Sequence, residues 1–213
     1  MKLTLLISTI STCVILLSCG NDTQSNPTES SGQQNNNTET EHDTAALISD
    51  SVPEAEFNYD SSGFANFELR AYVNDPDPNG PTNVRDKPNG KIIQKLPKDD
   101  EYMMILKKVD DGWFEFSDLV SFNDYPLDKT SGWIHHSVLG ATTRNYGNQE
   151  IPVYKHPAEK DEFKVGEIKT ESSIRILSAY FDFVKVTCET CDGAVEGWIS
   201  NEWICGNPVT TCP

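Results

Sequence analysis

Basic residues are scarce in this sequence. Lys and Arg together number 17 among 213 residues, against 33 Asp and Glu, which gives a formal net charge of -16 at pH 7. A chain with this charge is repelled by phosphate backbones and by anionic lipid surfaces. Nucleic acids and anionic membrane surfaces are therefore disfavoured as partners.

Histidine is also scarce, with four residues at positions 42, 135, 136 and 156. Nucleophilic or acid–base catalysis needs a nucleophile beside a base, or two converging carboxylates. The sequence presents no such arrangement. We therefore expect a protein that is not an enzyme and that needs no cofactor.

The N-terminal segment, residues 1–18, is an apolar run with a single basic residue, and Cys19 follows it directly. This pattern is typical of a secretory signal peptide and not of a membrane-spanning helix. The end of the run, Leu16-Leu17-Ser18-Cys19, resembles the lipobox of bacterial lipoproteins. The resemblance implies acylation of Cys19 and a lipid anchor in the bacterial cell envelope, at the periplasmic face or the cell surface. The alternative is a secreted protein whose signal happens to end in a cysteine.

Aromatic residues are lacking from residues 20–55, where Asn, Gln, Ser, Thr and Glu predominate. Such a segment cannot bury enough apolar area to order itself. We predict a disordered tether over residues 19–56. About forty flexible residues span roughly 35 Å, so the folded part would stand away from its membrane.

Sustained helical periodicity is absent after residue 57. Short β-rich runs alternate there with clusters of Gly, Pro, Asn and Asp, which predicts an all-β fold. The predicted strands are residues 69–74, 91–96, 102–109, 113–117 and 132–138, followed by 151–155, 164–168, 173–179, 183–187 and 197–199.

The two sets of strands repeat one order of motifs. Val84 corresponds to Val153, and Gly132-Trp133-Ile134 corresponds to Gly197-Trp198-Ile199, which indicates an internal duplication. The segments NVRDKP, GWFEF and GWIHHSVL resemble those of the bacterial SH3 domain, and the second set is a diverged copy. The resemblance implies two tandem small SH3-like β-barrels, at residues 57–143 and 144–213. Bacterial SH3 domains often accompany a cysteine peptidase domain, whose motifs the sequence lacks.

The stretch TNVRDKPNGKIIQKLP, residues 82–97, is expected to supply a loop and a strand of the first barrel. Val84 should pack inward. Pro88 and Gly90 should make a turn, and Ile92 and Ile93 should begin the strand.

Four cysteines, Cys188, Cys191, Cys205 and Cys212, lie close to the C-terminus. In an exported protein they predict two disulfides, each contributing about 2 to 4 kcal/mol. We expect the first two cysteines to be joined to the last two, since closure between Cys188 and Cys191 makes a small ring. A four-thiolate zinc site and a redox-active pair are the alternatives.

The segment DPDPNGPTNVRD places Asp75, Asp77, Asn79 and Asp86 at spacings found in calcium-binding loops. Oxygen ligands of this kind suit a hard cation. Three prolines restrict the segment, however, and flanking helices are missing. A turn is the favoured interpretation, and calcium is the alternative.

Aromatic residues on strands and loop edges are the candidates for ligand binding. For some of them, Trp133 in particular, core packing is the competing explanation. The candidate ligand-binding residues are Tyr72, Trp113, Trp133, Tyr154 and Trp203.

The predicted function is binding without catalysis. The expected partners are the membrane, through the N-terminal lipid, and a cell-wall peptide, peptidoglycan or envelope protein. A rival hypothesis is an acidic inhibitor or immunity lipoprotein that masks a basic envelope enzyme or toxin, because the charge of -16 fits that function as well.

Overall fold

The computed structural model describes residues 56–189, 191 and 193–212. The predicted signal peptide, Cys19 and almost all of the predicted tether lie outside these residues. The described residues all fall in one structural unit. Within this part of the chain, no helix has the length and apolarity needed to span a bilayer.

The fold class predicted from the sequence is confirmed, since the described residues form thirteen β-strands and four short 3-10 turns but no α-helix. The strands are β1 Leu69–Val73, β2 Thr82–Arg85, β3 Ile92–Leu96, β4 Tyr102–Asp110, β5 Trp113–Ser121, β6 Gly132–His135, β7 Leu139–Thr143, β8 Ile151–Tyr154, β9 Lys164–Ile168, β10 Ser173–Tyr180, β11 Phe183–Cys188, β12 Val195–Ser200 and β13 Ile204–Cys205. The 3-10 turns are Ser61–Ala65, His136–Val138, Asp161–Phe163 and Asn201–Trp203.

The hairpin of β4 and β5 shows why these residues form strands. In β4, Tyr102, Met104 and Leu106 are buried and the residues between them are more exposed, because successive side chains of a strand point to opposite faces. Asp111 and Gly112 join the strands with φ of 45° and 77°. An Asp-Gly pair with two positive φ angles makes the tight turn that best fits the twist of a hairpin.

The inward Val84, the turn and the second strand predicted in residues 82–97 are confirmed. This stretch forms β2, a turn and β3, with the Val84 side chain fully buried. In the turn, Asn89 has a φ of 55° and the Gly90 N–H donates to the Lys87 carbonyl at 2.9 Å. β2 itself extends the prediction, which assigned a strand only to the residues after the turn.

The strands join into one antiparallel sheet in the order β3-β2-β6-β5-β4-β1-β7-β10-β11-β12-β8-β9, and β13 pairs with β7 beside this path. β3 and β9 occupy the two ends, so the sheet is continuous but open. Two separate closed barrels therefore stay a prediction.

The pairing repeats with a period of six strands. β1 pairs with β4 and β7, and six strands later β7 pairs with β10 and β13. The β2–β3, β2–β6, β4–β5 and β5–β6 pairs recur as β8–β9, β8–β12, β10–β11 and β11–β12. We call β1–β6 the first repeat and β7–β12 the second repeat. β7 belongs to the pairing of both.

Equivalent positions of the two repeats fill one core. The register shift between Val84 and Arg85 recurs between Val153 and Tyr154. The matched buried pairs are Leu69 and Leu139, Ala71 and Ala141, Val84 and Val153, Met104 and Ile174, Leu106 and Ile176, Phe114 and Val184, Phe116 and Val186, and Ile134 and Ile199. The duplication inferred from the sequence thus extends to strand register and packing.

The described residues contain two disulfides, as the cysteine cluster predicts, but their connectivity is not the expected one. Cys188 is joined to Cys191 with a Cα–Cα distance of 5.7 Å, and Cys205 is joined to Cys212 with a Cα–Cα distance of 5.5 Å. Both distances lie in the ordinary range for a disulfide. The small ring forms because Cys188 ends β11, where the chain turns toward β12. Thiols joined in this way are not available as the four ligands of the alternative zinc site.

Candidate functional site

Outward side chains of the first repeat form one row across five strands. Ile92 is the cross-strand partner of Arg85, and Arg85 is that of Trp133. Trp133 is in turn opposite Glu115, and Glu115 is opposite Lys108. The sequence neighbours Val84, Phe114, Phe116 and Ile134 are buried in the core. The row therefore lies on the outer face of the sheet.

Two cations of this outer face lie against two indole rings. The Arg85 Cζ atom is 5.6 Å from the Trp113 ring centroid, and the Lys108 Nζ atom is 5.8 Å from the Trp133 centroid. The His135 ring meets Trp113 edge to face at 5.1 Å. Both indoles are partly exposed. We call Arg85, Lys108, Trp113, Trp133 and His135 the tryptophan face.

The turn between β2 and β3 fixes the position of Arg85. The Arg85 Nη1 atom donates to the Gly90 carbonyl at 2.6 Å, and the Lys91 N–H donates to Asp86 Oδ1 at 2.8 Å. A Cβ on Gly90 would lie 2.0 Å from Asp86 Oδ1 and 2.6 Å from Lys87 Cγ, so a larger residue there would have to displace the Asp86 carboxylate that accepts from Lys91. The turn read from the sequence therefore orients the guanidinium beside Trp113.

The second repeat carries an equivalent row on its own outer face. Lys164 is opposite Tyr154, and Tyr154 is opposite Trp198. Trp198 is opposite Lys185, and Lys185 is opposite Ser178. Each strand of the first repeat corresponds to the strand six places later. By this correspondence Trp198 occupies the position of Trp133, Tyr154 that of Arg85, and Ser178 that of Lys108.

An N-terminal segment of the described chain covers the outer face of the second repeat. We call residues 56–65 the strap. The strap rings surround Tyr180, whose centroid lies 6.1 Å from Phe57, 5.5 Å from Tyr59 and 5.1 Å from Phe64, and Tyr59 also lies 6.3 Å from Trp198. As a result Trp198 is only 4% exposed and Tyr180 only 6% exposed.

Backbone contacts fix the strap in place. The Asp60 N–H donates to the Tyr180 hydroxyl at 2.9 Å, and the Phe181 N–H donates to the Gly63 carbonyl at 3.0 Å. Phe181 sits in the β10–β11 turn with a φ of 47°, which is rare for a bulky residue. A Cβ on Gly63 would lie 2.3 Å from the Tyr180 ring, so the close approach requires glycine.

Burial raises the pKa of phenols on this covered face, which are neutral near pH 7 as ordinary tyrosines are. It raises the pKa of Tyr59 above its ordinary value of 10.0, and a hydrogen bond with Trp198 and the charge of Lys185 offset only part of this effect. Burial likewise raises the pKa of Tyr154. The strap is therefore bound through apolar rings and neutral hydrogen bonds.

The five aromatic residues predicted to bind a ligand do not form one cluster. Trp113 and Trp133 share the tryptophan face. Tyr154 is buried on the outer face of the second repeat, and Trp203 packs half-buried against the core. Tyr72 lines a separate cleft of about 320 Å³.

The residues of the calcium pattern are not brought together as cation ligands. Asp75 accepts from the Asp77 N–H at 3.0 Å and pairs with Lys98 at 3.1 Å, and Asp77 accepts from the Asn79 N–H at 2.9 Å. Asp86 lies beyond the far end of β2 and caps the next turn. Three or more His, Cys, Asp or Glu side chains suited to a metal do not gather anywhere in the described chain. The turn interpretation of the segment is the one that the geometry supports.

Sequence reasoning missed the two cations and the strap. Alternation in β2 places Arg85 outward, so a register argument could have found it. In β4, alternation from Tyr102, Met104 and Leu106 would point Lys108 inward. The register shift between Leu106 and Lys108 turns it outward, and the sequence does not reveal that shift. The rings of Phe57, Tyr59 and Phe64 were visible as aromatics, but nothing in the sequence shows that they pack on a strand pair more than a hundred residues later.

No protein-family profile matches the chain, and no curated protein matches it significantly. Among solved structures, the chain is similar to NlpC1 from Trichomonas vaginalis, with 11% identity, a TM-score of 0.26 and coverage of 68% of this chain and 48% of that chain. It is also similar to NlpC2 from the same organism, with 13% identity, a TM-score of 0.26 and coverage of 65% and 48%. The chain thus spans about half the length of these structures. The low TM-scores carry no argument about its activity.

Proposed function

We propose that this chain is a non-catalytic, lipid-anchored protein of the bacterial envelope whose SH3-like repeats bind a peptide, protein or peptidoglycan ligand. The tryptophan face is the proposed binding surface. The observation that carries the proposal is the pair of partly exposed indoles, each with a cation against its ring.

The dimensions of this face suit an extended peptide. Strands lie about 4.8 Å apart, so the three intervals from β2 to β4 span about 14 Å, which is the length of about four extended residues. Indole faces offer stacking area, and the Arg85 and Lys108 cations offer partners for carbonyl and carboxylate oxygens. The lipid anchor and the absence of catalysis rest on the sequence alone.

A binding experiment with matched variants tests the proposed surface. The purified chain, Trp113→Ala and Tyr125→Ala are incubated with peptidoglycan, synthetic stem peptides and solubilised envelope proteins. Tyr125 is 37% exposed and lies outside the tryptophan face, so it serves as the control. We expect Trp113→Ala alone to lose retention. Equal retention of all three proteins, or of none, would contradict the proposal.

The anchor is tested separately. Cys19→Ser should abolish labelling by a fatty-acid analogue and move the protein out of the membrane fraction. Unchanged labelling and fractionation would show that Cys19 is not the acylated residue.

The rival function, an acidic inhibitor of a basic envelope protein, is favoured by the charge of -16. This rival function and the proposed one predict different effects of a charge change at Lys108. Lys108→Glu should leave affinity for a basic partner unchanged or raise it, whereas it should weaken a ligand bound at the tryptophan face.

A further inference from the structure

We infer that the tryptophan face takes a peptide that combines aromatic rings with carboxylates, the kind of segment that the strap represents. This inference rests on the proposed function and names the chemical class of its ligand. The two repeats supply the argument, because one of them already has such a segment bound on its outer face.

The two faces correspond residue by residue through strand register. Trp133 and Trp198 occupy matched positions on β6 and β12. Trp113 begins β5 opposite His135, and Phe183 begins β11 opposite Ser200. Two aromatic positions are thus kept in both repeats, whereas Tyr154 and Tyr180 of the second repeat are matched by Arg85 and Asp110. The strap covers the second repeat alone.

The strap shows that an aromatic sheet face of this kind accepts rings and a backbone N–H, while the Asp60 carboxylate caps the strap's own 3-10 turn. Its residues 56–60 read Glu-Phe-Asn-Tyr-Asp, with two rings two positions apart and a carboxylate on each side. Phe57 and Tyr59 supply the rings, which pack around Tyr180. The Asp60 backbone N–H donates to the Tyr180 hydroxyl.

Charge distinguishes the open face from the covered one. The first repeat has Arg85 where the second has Tyr154, and Lys108 where the second has Ser178. Glu115 lies between Trp133 and Lys108 on the same face, and Lys185 takes its position in the second repeat. The places that favour a ligand carboxylate are therefore beside Arg85 and beside Lys108, on either side of Glu115. Asp110 occupies the position that Tyr180 has in the second repeat, where the Tyr180 hydroxyl accepts the Asp60 N–H of the strap. The Asp110 carboxylate can accept a backbone N–H of a ligand in the same way.

The chain's own strap does not supply this occupant, because Tyr180 and Phe181 already bind it. The ligand is therefore a segment of a partner. An envelope protein with an exposed aromatic, acidic loop or terminus has the required chemistry.

A labelled synthetic peptide with the sequence EFNYDSSGF is the first probe. Its binding to the full chain is followed by fluorescence anisotropy, and the tryptophan indole N–H signals are followed by NMR. We expect the Trp113 and Trp133 signals to move. A peptide with Gln and Asn in place of Glu and Asp should bind about tenfold more weakly.

The matched protein variants are Lys108→Glu and Lys169→Glu. Lys108 lies on the tryptophan face, while Lys169 is an exposed lysine of the second repeat. We expect Lys108→Glu to weaken binding about tenfold and Lys169→Glu to leave it unchanged. Equal effects, no binding at millimolar peptide, or shifts confined to Trp198 and Trp203 would overturn the inference.

Two further outcomes separate this inference from the proposed function. If neutral cell-wall peptides bind at Trp113 and Trp133 without preference for acidic ones, the ligand class is wrong and the binding surface stands. If no ligand of any class binds there, both fail. Concentration-dependent dimers that require Trp133 would overturn the inference by assigning the face to a second copy of this chain.

Discussion

Gly197 lies against Val153 so closely that a Cβ on the glycine would stand 2.5 Å from Val153 Cγ1. Gly132 bears the same relation to Val84, with a separation of 2.6 Å. In each repeat, the glycine of the Gly-Trp-Ile motif is thus the residue through which the strand packs against a buried valine. In β6 this is Gly132 against Val84, and in β12 it is Gly197 against Val153. The motif is conserved between the repeats for a packing reason.

Replacement of these glycines should destabilise the fold. We expect Gly197→Ala and Gly132→Ala each to lower the free energy of unfolding by about 1 to 3 kcal/mol, the usual cost of overpacking. Gly166→Ala is the control, since its Cβ would meet its nearest neighbour, Val195, at 4.0 Å. Urea denaturation measures the difference. Equal midpoints for Gly166→Ala and Gly197→Ala would contradict this packing account.

Removal of either disulfide should destabilise the protein moderately. The cysteine pairs are separated by 3 and 7 positions, so both closed loops are short. Chain-entropy estimates give about 2 kcal/mol for Cys188–Cys191 and about 2.5 kcal/mol for Cys205–Cys212. Paired Cys→Ala variants, unfolded in urea, measure these values, and peptide mapping without reduction checks the connectivity. Peptides joining Cys188 or Cys191 to Cys205 or Cys212 would contradict the structure.

The Asp75 carboxylate should stabilise the fold in a pH-dependent way. Burial raises its pKa, but hydrogen bonds from Thr82, the Asp77 N–H and Lys98 outweigh burial and hold the pKa below its ordinary value of 3.8. Because the pKa is depressed in the folded state, this contribution is present above pH 3.8 and is lost as pH falls through the folded-state value.

The corresponding variant is Asp75→Asn. At pH 7 we expect it to lower the free energy of unfolding by about 1 to 2 kcal/mol, since it removes a charge-assisted network. The difference from the wild type should shrink in acid, as measured by urea denaturation between pH 2 and pH 7. Asp128→Asn, at an exposed position, is the charge-matched control. A pH-independent difference for Asp75→Asn would show that the pKa of Asp75 is not depressed in the folded state.

Loss of a strap ring should release the β10–β11 turn. We expect Phe57→Ala to speed hydrogen exchange at the Phe181 amide, because that N–H donates to the Gly63 carbonyl. The His136 amide, which donates to the Gly112 carbonyl beside the β4–β5 turn, is the internal control and should exchange as before. Val165→Ala, at a 56% exposed position, controls for loss of apolar surface. Unchanged exchange at Phe181 would show that the strap does not depend on Phe57.

Local patterns predicted much of the fold, and long-range contacts account for what they missed. Val84, Gly90 and the Gly-Trp-Ile motifs could be placed because alternation and turn chemistry act over a few residues. β7 was missed because its sequence, Leu-Gly-Ala-Thr-Thr, has small and polar residues whose strand state depends on partners from both repeats. The strap was missed because its position likewise depends on contacts with residues far away in the sequence, such as Tyr180.

The candidate site was predicted only in part. Trp113 and Trp133 could be chosen as aromatics on strands, but Tyr154 and Trp203 are indistinguishable from them in sequence and lie in packed surroundings. The predicted cysteine pairing was wrong because ring size does not decide whether Cys188 and Cys191 can meet. The turn that brings Cys191 back to Cys188 is set by the β11–β12 hairpin, which the sequence did not locate precisely.

The position of β7 between the repeats has a consequence for how the protein unfolds. β7 pairs with β1 of the first repeat and with β10 of the second. Unfolding of either repeat would remove one set of β7 hydrogen bonds. It would also expose Leu139 and Ala141, which belong to the common core. The two repeats are thus coupled through one shared strand, and heating should melt them in a single cooperative transition despite their duplicated architecture.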